Sequence, residues 1–156
     1  MDKYDHYLGN IHIKRDGVKH NFTPEEITEY KKCYEDPVYF AETYCKVINL
    51  DKGLVPFDLY PYQREMFEHF NQNRFSIVLA CRQSGKSISV CAYLLWYALF
   101  QPEKNVAILA NRAATAKEMV GRITLMLENI PFFLQPGCKA LNKQSIEFSN
   151  NSAIFS

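Results

Sequence analysis

The residues that could do chemistry on a phosphate lie together between Arg82 and Ser87, in the run Arg-Gln-Ser-Gly-Lys-Ser. A lysine directly after a loop glycine can reach the β- and γ-phosphates of a nucleotide as a point charge, and a following hydroxyl residue can ligate Mg²⁺. That gives Lys86 and Ser87 their roles; the alternative for Lys86 is an ordinary solvated lysine. Gln83, Ser84 and Gly85 supply the backbone N–H groups that would wrap the phosphates at a helix N-terminus. Arg82 could touch a phosphate oxygen or stabilise charge on a transferring γ-phosphate, or simply pair with a surface carboxylate. The usual pattern has a glycine five positions before Gly85, where this chain has Ala80; the loop can still turn if that position does not require φ > 0.

Two other groups of residues bear on a nucleotide. Gln63 follows Tyr60-Pro61-Tyr62; its amide can both donate to and accept from the edge of adenine, or it can be a plain exposed glutamine at a helix start. Arg112 and Arg122 could each act as an arginine finger on a neighbouring subunit's nucleotide, meet a DNA phosphate, or remain solvated. The four histidines, His6, His12, His20 and His69, have no metal-ligand spacing.

Such residues need a scaffold. FSIVLA, residues 75–80, is apolar without alternation, which predicts a strand covered on both faces. SISVCAYLLWYALF, from Ser87, predicts a buried helix. NVAILA, from Asn105, predicts a second strand, and AATAKEMVGRITLMLENI a helix with Met119, Ile123, Met126 and Ile130 on one stripe, ended by Pro131. Alternation of strand and helix implies parallel pairing through right-handed crossovers, hence an α/β sheet. Gln144–Ser149 and Ser152–Ser156, around Asn150-Asn151, read as a hairpin.

Upstream, residues 1–22 read as an irregular arm. Thr23-Pro24 with Glu26 predicts a capped helix to about Tyr34. Asp36-Pro37 predicts a second, VYFAETYCKVIN, with Phe40, Tyr44, Val47 and Ile48 on one face. Leu50–Pro61 reads as a linker, and a third helix follows from Tyr62 with Met66, Phe67 and Phe70 inward. The expected division is residues 1–56 as arm and helical subdomain, and 57–156 as the nucleotide-binding core.

Composition sets bounds. With 47% hydrophobic and 14% aromatic residues the chain is globular in character. The net charge of +1 carries no global argument for a polyanionic partner. Residues 57–156 hold 10 Lys+Arg against 7 Asp+Glu, and residues 1–56 hold 8 against 10, an asymmetry too small to use. Five scattered cysteines without a Cys-x-x-Cys pair suggest a reducing compartment and no structural zinc. The N-terminus lacks the apolar core of a signal peptide. The longest uncharged run, Ser87–Pro102, is 16 residues, below the ~20 apolar residues of a membrane span.

Taken together, YPYQREMF, ACRQSGKS, NVAILANRAATAKEM and the Asn-Asn hairpin resemble the ATPase domain of the large terminase subunit of tailed bacteriophages. The likeness extends upstream, where residues 8–59 are similar to the N-terminal helical region of contractile-tailed phage terminases. The resemblance implies an ASCE-type P-loop NTPase core with a parallel sheet, cut before the Walker B strand, behind an N-terminal helical subdomain. It implies ATP and Mg²⁺ as cofactors, with Gln63 matching the family's adenine-reading glutamine, Arg82 its loop arginine, and Lys86 and Ser87 the phosphate and magnesium contacts. The implied work is ATP-driven translocation of double-stranded DNA into a prohead, in the host cytoplasm and with no membrane. The implied partners are the portal protein, the small terminase subunit and further copies in a ring. The family's Asp-Glu strand, coupling motif and nuclease domain have no match in these residues, so hydrolysis is expected of a full-length parent. Two alternatives stand beside this reading: a superfamily-two helicase or restriction translocase, whose loops usually carry Thr-Gly where this one has Gln83-Ser84, and a non-catalytic binding module.

Overall fold

The computed structural model describes residues 5–156, so the first four residues of the expected arm lie outside it. The rest of that arm is ordered differently from expectation. His6–Tyr7 (β1) and Asn10–Lys14 (β2) form an antiparallel hairpin through Leu8 and Gly9, both at positive φ. Ile13 is fully buried, and Arg15 bridges to Cys138. Besides these, the hairpin is docked by polar contacts to residues more than a hundred positions away, Asn10 to Glu128, the Leu141 N–H to the Tyr7 hydroxyl, and Gln135 to both Lys14 and His12, a pattern that no local signal in the sequence announces.

Helix α1 (Pro24–Glu35) has the expected capping box, with the Thr23 hydroxyl accepting from the Glu26 N–H at 3.2 Å and the Glu26 carboxylate accepting from the Thr23 N–H at 2.9 Å. Helix α2 (Pro37–Tyr44) is capped by the Asp36 carboxylate, which accepts from the N–H groups of Val38 and Tyr39. Its expected continuation is wrong. Lys46–Asn49 is a strand (β3) paired antiparallel with Gly53–Pro56 (β4), so Val47 and Ile48 leave the helix and the supposed linker contains a strand. The reason is local: β-branched Val47 and Ile48 favour a pleated surface. The Asn49 side chain then closes the turn by accepting from the N–H groups of Asp51 and Lys52.

Helices α3 (Pro61–Gln72), α4 (Lys86–Phe100) and α5 (Ala113–Asn129) match the sequence pattern. Strand β5 (Asn105–Ala107) is shorter than NVAILA, and β6 (Cys138–Leu141), β7 (Ser145–Phe148) and β8 (Ala153–Phe155) complete a four-stranded sheet in the order β5-β8-β7-β6. The β7–β8 hairpin forms as expected, with Asn151 at φ 62 in its turn.

The expected parallel P-loop core is not what the described residues build. Only β5 and β8 are parallel; β8–β7 and β7–β6 are antiparallel. The stretch 75–80, expected as a buried strand, pairs with no strand here, and Ile77 and Leu79 are 97% and 100% exposed. Its apolar run satisfies the strand pattern, but pairing needs a neighbouring backbone at about 4.8 Å, and the sheet that forms is assembled by the C-terminal hairpin instead.

One apolar core joins the helices to this sheet, drawing Ile13 from β2, Cys33 from α1, Phe40 from α2, Phe67 from α3, Leu95 from α4, Ile123 from α5 and Ile154 from β8. Each large side chain so buried contributes about 1.5–3 kcal/mol relative to exposure. Two polar contacts make the packing specific. The Trp96 indole N–H donates to the Cys33 carbonyl at 2.7 Å, pinning α4 to α1. The buried Gln135 amide accepts from the Lys14 N–H at 2.9 Å and donates to the carbonyls of His12, Leu127 and Ile130, tying β2 to the end of α5.

Candidate phosphate-binding site

The loop before α4 is shaped by two left-handed residues, Gln83 at φ 61 and Gly85 at φ 74. Gly85 is required there for two reasons. An L side chain rarely adopts that φ, and a Cβ at Gly85 would lie 2.6 Å from the Gln63 Nε2. Gly85 serves as the N-cap of α4, and no side chain caps the helix. The first turn of α4 therefore presents unpaired backbone N–H groups and the positive end of the helix dipole, which is the electrostatic requirement of an anion site.

The loop is closed by its own groups. The Lys86 ammonium and the Ser84 hydroxyl both donate to the Cys81 carbonyl, at 3.0 Å each. The Tyr62 hydroxyl donates to the Ser84 carbonyl, linking the start of α3 to the loop. Arg82 is exposed and has no ion-pair or hydrogen-bond partner among the described residues. Ser87 lies exposed in the first turn of α4. No cluster of three His, Cys, Asp or Glu side chains among the described residues could hold a metal.

Gln63 is not the exposed residue that its helix-start position allows: it is 2% exposed. Its Oε1 accepts from the Tyr60 N–H at 2.9 Å, capping α3, and its amide nitrogen faces Gly85. Gln63 thus sits beneath the loop with its acceptor already committed. Beside it a cavity of about 520 Å³ opens between the β3–β4 hairpin, the start of α3 and the loop, lined by residues including Tyr60, Tyr62, Gln63, Gln83, Ser84 and Gly85. Tyr60 and Tyr62 stack there, ring centroids 5.8 Å apart and planes within 8°. The two tyrosines were not singled out in the sequence; the Tyr-Pro-Tyr spacing, which puts two rings on either side of a helix-starting proline, was the available signal.

The structure brings Gln63 against the loop, where it lines one cavity with Gln83, Ser84 and Gly85, and neither Arg112 nor Arg122 lines that cavity. Arg122 pairs with Glu118 one turn earlier on α5, at 2.7 Å, which is the ordinary surface role. Arg112 is exposed at the N-terminus of α5. No helix among the described residues is long and apolar enough to cross a membrane.

Comparison with known protein families matches residues 77–156 to the N-terminal part of the terminase large subunit of the T4likevirus type. The match takes in Arg82 through Ser87, β5, α5 and the C-terminal hairpin, and begins after Gln63. This chain belongs to that family of terminase large subunits.

Proposed function

We propose that this chain is the ATP-binding part of a DNA-packaging terminase motor, with the triphosphate held at the loop 82–87 and the base in the cavity beside Tyr60 and Tyr62. One observation carries the reading: an uncapped helix N-terminus, a left-handed Gly85, an inward-turned Lys86 and an unpartnered Arg82 converge on one loop. These are groups whose charge and hydrogen bonds an anion would complete.

On binding, a phosphate oxygen replaces the Cys81 carbonyl as the acceptor for Lys86, exchanging a neutral acceptor for a charged one. Such charge-assisted bonds are worth about 1.5–3 kcal/mol each. Arg82 adds a second cation from the outer side of the loop, and the N–H groups of Gly85 and Lys86 take the remaining oxygens. Ser87 offers its hydroxyl to Mg²⁺, which would draw charge from the β- and γ-phosphates. With its acceptor used by Tyr60, Gln63 supports the loop in this geometry, and the contact with adenine that the resemblance implies requires its amide to turn outward. The translocation of double-stranded DNA, the ring of copies and the portal and small-subunit contacts belong to the whole motor, and hydrolysis to a full-length parent. Family membership sets aside the superfamily-two alternative.

Cys81 provides the test, because it is exposed in the loop while Cys33, Cys45, Cys91 and Cys138 are buried. Millimolar Mg·ATP should slow maleimide labelling of Cys81 in the native chain, and the Lys86→Ala variant should lose that protection. Labelling that is indifferent to ATP in the unsubstituted chain overturns the proposal.

A further inference from the structure

A second site lies away from the loop, and its chemistry is that of a docking pocket. A cavity of about 640 Å³ opens between the β2 end, α1, the end of α4 and the turn at 133–136, lined by residues including Lys14, Phe22, Ile27, Tyr30, Lys31 and Tyr34. The walls are mainly aromatic and aliphatic, with Tyr30 edge-on to both Phe22 and Phe100 at 6.1 and 5.2 Å.

Its cations are unusual. Lys14 is only 8% exposed, yet its ammonium has no acceptor among the described residues. Its apolar stem is buried while the ammonium is not fully enclosed and reaches the open side of the cavity, and desolvation holds the Lys14 pKa below its ordinary value. Lys31 adds a second ammonium at the same cavity, also without a carboxylate among the described residues, whereas its neighbour Lys32 is paired with Glu29. The polar backbone groups nearby are already used: Gln135 binds the Lys14 N–H, and Asn150 binds the carbonyls of Ala98 and Leu99.

We propose that this pocket receives an acidic peptide segment of a partner protein, placing an aromatic or aliphatic side chain among Phe22, Ile27 and Tyr30 and an adjacent carboxylate on Lys14 and Lys31. Charge complementarity selects an anion, and the apolar wall selects a bulky neighbour to it. The rim selects a chain over an enclosed small molecule: Phe22, Ile27 and Tyr34 remain 43–46% exposed, so a small ligand would stay largely wet where a covering chain would seal it. Small-molecule sites normally bury most of their ligand, whereas aromatic residues gathered at the centre of a patch are what a protein interface buries. This site is independent of the nucleotide reading.

The test uses an array of 12-residue peptides carrying Asp or Glu next to Phe, Trp, Leu or Ile, with matched peptides in which Lys replaces the acid or Ser the apolar residue. The expected result is that acidic-apolar peptides bind the 156-residue chain, and both matched sets fail. Lys14→Met should weaken binding about tenfold or more, as loss of a charge-assisted contact does, and Lys31→Met and Ile27→Ser should also weaken it. Because Lys14→Met keeps a buried apolar stem and removes only an unpaired, partly desolvated ammonium, it should leave thermal stability unchanged or raised; a lysine kept for the fold would instead lower it. The proposal is overturned if no peptide binds, if binding ignores Lys14→Met, if basic peptides bind equally, or if Lys14→Met destabilises the fold. Maleimide protection of Cys81 by Mg·ATP should persist in Lys14→Met, so failure of one site is distinguishable from failure of the other.

Discussion

The Gly85→Ala substitution probes the loop most directly. Alanine at φ 74 carries about 1–2 kcal/mol of left-handed strain. Its Cβ would also stand 2.6 Å from the Gln63 Nε2, closer than any stable contact. Because Gln63 is buried and its Oε1 is held by the Tyr60 N–H, retreat of the amide weakens that bond, at a further cost of up to about 1 kcal/mol. The sum is up to about 3 kcal/mol, or up to roughly 10 °C in melting temperature for a chain of this size. Urea unfolding followed by the fluorescence of Trp96, the single tryptophan, measures it. Gln63→Ala alone should cost about 1 kcal/mol, the worth of an N-terminal cap. The double variant should then fall short of the additive sum by about 1 kcal/mol, since the clash and the lost bond are counted once. If Gly85→Ala is as stable as the native chain, or the two substitutions add fully, the close packing of Gln63 under the loop is wrong.

Other outcomes follow from the same structure. Trp96→Phe keeps the packing but strands the buried Cys33 carbonyl, and should cost about 1–3 kcal/mol in the same urea assay with a tyrosine readout. Thr23→Ala and Asp36→Ala each remove a helix cap and should cost about 1 kcal/mol, visible as a lower urea midpoint. Burial pushes the thiols of Cys33 and Cys91 up from 9.0 to about 12 and that of Cys138 to about 11. The unfolded chain therefore releases these protons first. Stability should be intact below pH 9 and fall as pH rises above it, through the folded values. Melting temperatures under reducing conditions between pH 7 and 11 check this, and a flat profile refutes it.

Much of the fold is legible because its signals are local. Thr23-Pro24-Glu26 and Asp36-Pro37 start helices wherever they occur, since the side chain that caps is within three residues of the N–H it satisfies. The α5 stripe and the Asn-Asn hairpin are equally short-range. The errors fall where pairing between strands decides. Val47 and Ile48 suit a helix face until the nearby β4 offers them a backbone ladder, and FSIVLA is strand-like in every residue yet unpaired in the sheet that forms.

The same division runs through the sites. The sequence by itself determined the family and marked Arg82 to Ser87 as the candidate phosphate loop, because a loop of six consecutive residues carries its own pattern of glycine, charge and hydroxyl. Only the tertiary structure decided that Gln63 lies buried under Gly85, that Tyr60 and Tyr62 share a cavity with Gln83 to Gly85, and that Lys14 is drawn into an apolar pocket without a counter-charge. Those facts depend on residues separated by some twenty to more than a hundred positions meeting in space, a distance over which neither periodicity nor motif spacing carries information.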